Sequence, residues 1–276
     1  SELAVCAEYN LSPVVHCEQQ LQAIEQTALN KPLWVWLKVD TGMHRLGWSE
    51  EQAQQALVRL NASQNVAGVT LMSHLANADA DHELNAEQKR LFCQLSESTK
   101  GYKARSFHNS AGLLNPETQW VLQENDWVRA GLLLYGVNPS TVIEVQSSLK
   151  PAMRLVAPVI ALHKLERGES VGYGSAWTAQ RPSLIATVAM GYADGYPRQA
   201  ENGTPAMVRG QTVGLAGRVS MDMLTIDVTD VADVQIGDDV ELWGPNIDVR
   251  QIAACAGTIS WHLLTGVSVR VPRVEV

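Results

Sequence analysis

The sequence has no Cys-x-x-Cys pair, no apolar run near the ~20 residues that a membrane-spanning helix needs, and no excess of Lys and Arg. Each absence removes a class of function. The four cysteines, Cys6, Cys17, Cys93 and Cys255, are widely scattered, which reads as reduced thiols in a cytoplasmic protein and not as a disulfide framework. No secretory signal pattern stands at the start. Lys and Arg number 21 against 29 Asp and Glu, a formal charge of -8, which argues against nucleic acid as the partner because phosphate backbones recruit cations. A local basic pocket for a small substrate stays open. What is present is bulk: 276 residues, 46% of them hydrophobic, enough for one large domain or two ordinary ones. The chain opens on Ser, and residues 3–9 read as the end of a helix already under way.

Two halves differ in texture. In residues 1–150, apolar runs at 13–17, 33–39, 66–73, 104–108 and 132–136 read as strands, with helical stretches at 18–29, 49–60 and 85–99 between them. The run 33–39 is continuous enough for a parallel strand covered on both faces. Ser49 followed by Gln52 is a capping-box signature. Strands alternating with helices imply βαβ units; about five are countable, whereas a complete (β/α)8 barrel has eight. In residues 151–276 short strands follow one another at 155–165, 170–173, 184–190, 205–209, 211–216, 223–228 and 239–243, and only 249–257 looks helical. The expected architecture is therefore α/β plus all-β: a partial (β/α)8 TIM-type barrel lacking its first units, then a C-terminal β domain.

Residues that carry chemistry stand at predicted strand ends. Lys38-Val39-Asp40-Thr41-Gly42-Met43-His44-Arg45-Leu46-Gly47 follows the 33–39 strand, and the C-terminal ends of barrel strands are where barrel enzymes do chemistry. Taken alone, Arg45 reads equally well as a strand-end cation paired with a surface carboxylate. Met72-Ser73-His74-Leu75-Ala76-Asn77-Ala78-Asp79 ends the next strand; His74 and His82 with Asp79 and Asp81 lack the spacing of a compact metal set, so no metal is expected. Phe107-His108-Asn109-Ser110-Ala111-Gly112 is a strand-to-helix turn, a natural place for an anion. Trp127 to Gly136 contains Arg129, Gly131, Leu132 and Tyr135. In the β half stand Gly172-Tyr173-Gly174, Gly191-Tyr192-Ala193-Asp194-Gly195, Arg218-Val219-Ser220-Met221-Asp222 and Arg270-Val271-Pro272-Arg273. The Gly191 segment alone reads as a surface turn.

In this order these segments resemble the alanine racemases, pyridoxal phosphate (PLP) enzymes, through K-x-D-T-G-M-x-R-L-G, N-S-A, V-R-x-G-x-x-x-Y-G, G-Y-A-D-G, R-V-S-M-D and R-V-P-R. The resemblance covers nearly the whole chain. It implies interconversion of L- and D-alanine by a two-base mechanism, supplying D-alanine for peptidoglycan, in a cytoplasmic homodimer without nucleic-acid or membrane partners. It implies that Arg45 contacts the cofactor's phenolic oxygen and the substrate carboxylate, with Lys38 as a modified (carbamylated) lysine holding Arg45. It makes His74 the partner that tunes the catalytic tyrosine, and Tyr173 that acid/base. Asn109, Ser110, Gly131 and Leu132 would hold the phosphate, and Arg129 the pyridine nitrogen. Arg cannot hand over its proton, so the ring stays a weaker electron sink, which suppresses side reactions. Tyr192, Met221 and Asp222 would bind substrate from a β domain that reaches a partner subunit.

The pattern departs from the family in two places. The family's V-K-A-N/D-A-Y-G-H-G run, which carries the cofactor's Schiff-base lysine, is not in the sequence, and none of Lys31, Lys38, Lys89, Lys100, Lys103, Lys150 and Lys164 has that context. The expectation is a chain lacking about its first three βα units and inactive by itself. Trp261 stands where the family has a phosphate-binding Tyr; an indole N–H donates from a larger ring at another angle, or the swap is a tolerated aromatic exchange. Three alternatives remain: a non-catalytic barrel or dimerisation module, a racemase of broader specificity, or a barrel-type PLP decarboxylase, which would need an acid where Arg129 stands.

Overall fold

The computed structural model describes residues 2–140, 142–143 and 149–275. The described chain forms two compact units, Ser1–Leu133 with Asn138–Ser148, and Leu134–Val137 with Leu149–Val276.

The first unit is a parallel sheet in chain order, β1 (Val14–Val15), β2 (Leu33–Lys38), β3 (Val66–Met72), β4 (Ala104–Asn109) and β5 (Trp127–Arg129). α1 (Glu2–Glu8) precedes the sheet; α2 (Glu18–Gln26), α3 (Glu50–Ala62), α4 (Leu84–Ser98) and the short α5 (Ser110–Leu114) join successive strands, and the short α6 (Gly131–Leu134) follows β5. The parallel sheet-and-helix domain expected from the alternation is thus observed. Period-two alternation splits β2. Leu33, Val35 and Leu37 are fully buried with Leu57, Leu60, Val69, Leu71 and Phe107 in one apolar cluster. Trp34, Trp36 and Lys38 lie on the other face, and Trp34 is 39% exposed. The 33–39 run is therefore covered by helices on one face only. Trp34 still ties down its neighbour strand, donating from Nε1 to Thr70 Oγ1 at 2.7 Å.

The capping box forms: Ser49 Oγ accepts from Gln52 N and the Gln52 side chain accepts from Ser49 N, starting α3. The strand expected at 132–136 does not form. β5 ends at Arg129, and Gly131–Leu134 is a helical turn. A Leu-Leu-Leu run this short has no period that separates strand from buried helix.

The second unit is a closed antiparallel barrel of β10 (Pro205–Val208), β11 (Gln211–Leu215), β12 (Leu224–Asp227), β9 (Ser183–Val188), β6 (Leu155–Leu165) and β13 (Asp239–Trp243), with a separate ribbon of β7 (Ser170–Val171) and β8 (Trp177–Thr178). Closure removes the unpaired edges that a small antiparallel sheet would expose. Two helices follow, α7 (Val249–Cys255) and α8 (Ser260–Gly266). The sequence reading anticipated only the first. The second is short and holds Trp, Thr and Gly, which have weak helix preference.

Candidate active site

Parallel register sets the ends of β2 and β3 level and those of β4 and β5 level, all at the same edge of the sheet. Lys38 pairs with Met72, Met72 with Ser106, and Asn109 with Arg129. The chain leaves the sheet there in the loops that hold Arg45, His74 and Ser110.

Arg129 is the centre of this edge. Its guanidinium donates to Ser73 O at 2.6 Å, to Phe107 O and His74 Nδ1 at 3.2 Å each, and to Ser106 Oγ. Among the described residues no carboxylate pairs with it. Burial lowers its pKa to about 10, which leaves it cationic at neutral pH. His74 feels the opposite pressure. Burial first, then the charges of Arg129, Lys38 and Arg45, push its pKa down to about 4, so its imidazole is neutral. An arginine only donates, so Nδ1 must accept and the ring proton sits on Nε2. Lys38 is 6% exposed; burial, and then Arg129 and Arg45, pull its amine below the usual lysine range against the pull of Asp40.

The Arg45 loop is held by its own backbone. Asp40 Oδ1 accepts from Gly42 N and His44 N at 3.0 Å each, an Asx-type turn. Asp40 N donates to Trp48 O, and Trp48 N to Lys38 O. The closing glycine of the motif is required: Gly47 has φ +127, and a Cβ there would stand 2.7 Å from Asp40 N. Arg45 is exposed and pairs with no carboxylate among the described residues, unlike the simple surface pair weighed above.

Ser110 is buried at the start of α5 and accepts from Leu133 N at 3.3 Å. Asn109 caps that helix by accepting from Gly112 N at 2.9 Å and donates to Leu75 O at 3.3 Å, so both ends of its amide have protein partners. Nothing lies within 4 Å of a Cβ built on Gly131, so the start of α6 beside buried Leu132 is open. Lys38, Arg45 and Arg129 around a neutral His74 make a donor-rich, cationic edge. Such a set suits an anionic ligand with an acceptor ring nitrogen, as PLP has. His74, His82, Asp79 and Asp81 form no metal-binding group among the described residues.

The second unit gathers the other motifs at one place. Tyr192 N donates to Ser220 O at 3.0 Å and Ala193 N to Met221 O at 2.9 Å, locking the Gly191 and Arg218 segments together. A Cβ on Gly191 would stand 2.2 Å from Met221 O, which explains the glycine. Arg270 bonds Asp222 at 2.7 Å and lies 3.4 Å from Asp194, tying in the closing segment. Tyr173 sits in a single 3-10 turn, 71% exposed, beside Arg218. Tyr192 and Met221 are also exposed. Trp261 lies on α8, half-exposed.

Residues not singled out from the sequence complete the first unit's edge: Thr41, Ser73, Gln88 and Ser106, all buried. Gln88 had a legible signal. It occupies the inward face of α4 with Asn85, Phe92 and Leu95, and a polar residue at a core position of a helix is informative.

The alanine racemase N-terminal domain model matches residues 1–139, and the alanine racemase C-terminal domain model matches residues 152–275. The chain is 47% identical over 280 residues to an alanine racemase of Pseudoalteromonas atlantica, spanning 99% of this chain and 73% of that protein. It is 48% identical over 276 residues to that of Pseudomonas taetrolens, spanning 99% and 75%. Among solved structures, the biosynthetic alanine racemase from Pseudomonas aeruginosa superposes with a TM-score of 0.91 at 42% identity, over 99% of this chain and 75% of that one. An alanine racemase from Bartonella henselae with covalently bound pyridoxal phosphate gives 0.84 at 29% identity, over 99% and 75%.

Proposed function

The chain belongs to the alanine racemase family, PLP-dependent isomerases that interconvert L- and D-alanine, and from that membership we propose how its own residues divide the work. The observation that carries the reading is Arg129, a buried cation with no carboxylate among the described residues, which donates to a histidine kept neutral. When bound, PLP supplies an electron sink for the charge left as the substrate's α-proton departs. Arg129 holds the ring nitrogen by donation alone and keeps its proton. Its neighbour His74 presents Nε2–H as a donor to the catalytic tyrosine, and Tyr173 takes or returns the α-proton on one face from the β domain of a partner subunit. Arg45, oriented by the Asp40 turn and by Lys38 as its modified neighbour, receives the substrate carboxylate. Ser110, Asn109, Gly131 and Leu132 line the phosphate end, with Trp261 donating from its indole. Tyr192, Met221 and Asp222 close on the small amino-acid substrate.

The covalent lysine and opposite base belong, in this reading, to a segment outside these 276 residues, with residues 1–150 as the PLP-binding domain and 151–276 as the β domain. The chain spans about three quarters of the length of the relatives it matches, and the lysines other than Lys38 stand before strands, on α4 or in the second unit. The working form is a cytoplasmic homodimer making D-alanine for peptidoglycan; the four cysteines are unpaired, and among the described residues no helix is long and apolar enough to cross a membrane.

The test is formation of D-alanine from L-alanine by the full natural chain with PLP, alongside sedimentation of the same sample. D-alanine made by a dimer supports the reading; a PLP-loaded chain without racemisation overturns it. The 276 residues alone, mixed with PLP, should show no visible band of the lysine-bound cofactor; a band would refute the placement of the lysine.

A further inference from the structure

The loop that carries His74 is irregular, yet its carbonyls are nearly all taken. His74 O accepts from Gln88 Nε2 at 3.0 Å, Leu75 O from Asn109 Nδ2 at 3.3 Å, and Ala78 O from Asn115 Nδ2 at 3.1 Å. Asp79 O accepts from Ser140 Oγ at 2.5 Å and Ala80 O from Asn85 Nδ2 at 2.9 Å. Side chains here do what a strand ladder does elsewhere, satisfying backbone groups that would otherwise be buried without partners.

Gln88 reaches further than the rest. Fully buried on α4, it accepts from Ala76 N at 2.9 Å and also donates to Thr41 Oγ1 at 3.2 Å, in the loop that holds Arg45. Thr41 Oγ1 lies 2.8 Å from Ser73 Oγ, and Ser73 Oγ is 2.9 Å from Val39 O. The proton directions follow by elimination. A carbonyl only accepts, so Ser73 donates to Val39 O and receives from Thr41, whose own oxygen receives from the Gln88 amide. The chain thus runs one way, from α4 through the Arg45 loop to the residue before His74, and Ser73 O takes the 2.6 Å bond from Arg129. Gly42 packs at the same point, with a built Cβ 3.1 Å from Leu84 and 3.4 Å from Gln88.

We propose that Gln88, Thr41 and Ser73 are positioning residues for racemisation: their buried hydrogen-bond chain locks the Arg45 loop to the His74 loop, so that carboxylate binding and tyrosine tuning share one geometry. The proposal rests on the racemase reading for its function, though not for its geometry. Buried networks of this kind lose more than one bond when a link is cut, because each group polarises and orients the next.

The experiment uses the full natural chain with Thr41→Val, which keeps the shape and removes the hydroxyl, Thr41→Ser as the rescue, and Gln88→Met as the second cut. Two quantities are read. One is kcat against KM for alanine with PLP bound. The other is the His74 imidazole titration by nitrogen-15 NMR on the cofactor-free protein, where Arg129, Lys38 and Arg45 are the charges that act on the ring. Thr41→Val should lower kcat about tenfold or more, because a displaced group costs rate before it costs binding. It should also raise the His74 midpoint from about 4 as the loop loosens from Arg129. Thr41→Ser should restore both. An unmoved midpoint with unchanged kcat in Thr41→Val, or a loss of thermal stability alone in Thr41→Val and Gln88→Met, overturns the proposal. Failure of the unaltered protein to racemise alanine overturns the functional reading instead, and the NMR midpoints then judge the network alone.

Discussion

Around the strand ends of the first unit Lys38, Thr41, Ser73, Ser106, Ser110 and, from α4, Gln88 are buried, while the barrel of the second unit closes over Ala186, Val188, Val208, Leu224, Ile226, Val240 and Leu242. Even the aromatic pair in the second unit, Tyr196 and Trp243, is stacked at 6.0 Å between ring centres and buried. Glu241 is the charged exception, 2% exposed, and it accepts from Arg154, Asn246 and Ile247. The first unit thus concentrates buried polarity where chemistry is wanted. The second holds its shape by apolar packing and offers its functional side chains, Tyr173, Tyr192 and Met221, from exposed turns. Substitutions at the two kinds of position should therefore separate activity from stability.

The largest effect is expected at Tyr173→Phe. Loss of a positioned acid/base costs about 10²–10⁴-fold in rate, and an exposed side chain leaves the melting temperature unchanged; steady-state racemisation and thermal unfolding check both halves. A variant that loses stability along with rate would break the contrast. Next comes Arg129→Glu, expected to lower racemisation about 10²–10³-fold, the cost typical of a lost electrostatic donor, and to divert turnover toward transamination. Pyruvate formation measures that diversion, and unchanged partitioning would remove the role assigned to Arg129. Leu242→Ala should do the reverse. It opens a hole in a packed barrel and costs about 2–5 kcal/mol in denaturant unfolding, with kcat retained in the folded fraction.

The smallest effect is a difference in pH windows. The folded His74 pKa of about 4 lies below the ordinary 6.5, so the unfolded chain binds that proton first. Stability from this source is complete above pH 6.5 and is lost as pH falls toward 4. Burial would raise the Glu241 carboxyl, but donation from the Asn246 backbone and side chain, from Arg154 and from the Ile247 backbone outweighs it, and the net direction is down. Its stability is present above the ordinary value of 4.5 and lost below that. Urea titrations of His74→Asn and Glu241→Gln across this range should each flatten only their own window. Equal flattening of both windows by either variant would contradict the assignment.

Much of this was legible in the residues. Alternating apolar runs announced the parallel sheet, the Ser49 box announced α3, and predicted strand ends carried Lys38, His74 and Ser110, while Arg129, which ends β5, stood before the strand expected at 132–136 and was singled out through the family resemblance alone. The misreadings were local: the helical turn at Gly131–Leu134 and the short α8 have no period long enough to declare themselves. Gln88 is legible only in part: its place on the apolar stripe of α4 with Phe92 and Leu95 marks it as a buried polar residue, but which loops its amide joins depends on the packing.

Periodicity and turn chemistry act between near neighbours, so the chain by itself determined which stretches become strands, where loops break and which side chains arrive at the strand ends. Register and burial act between residues far apart, and only tertiary structure decided that Arg129 would meet His74 without a carboxylate, that the imidazole would be neutral, and that an amide on α4 would join two loops. A charge or proton state depends on everything packed around it, and that packing exists only once the strands have aligned.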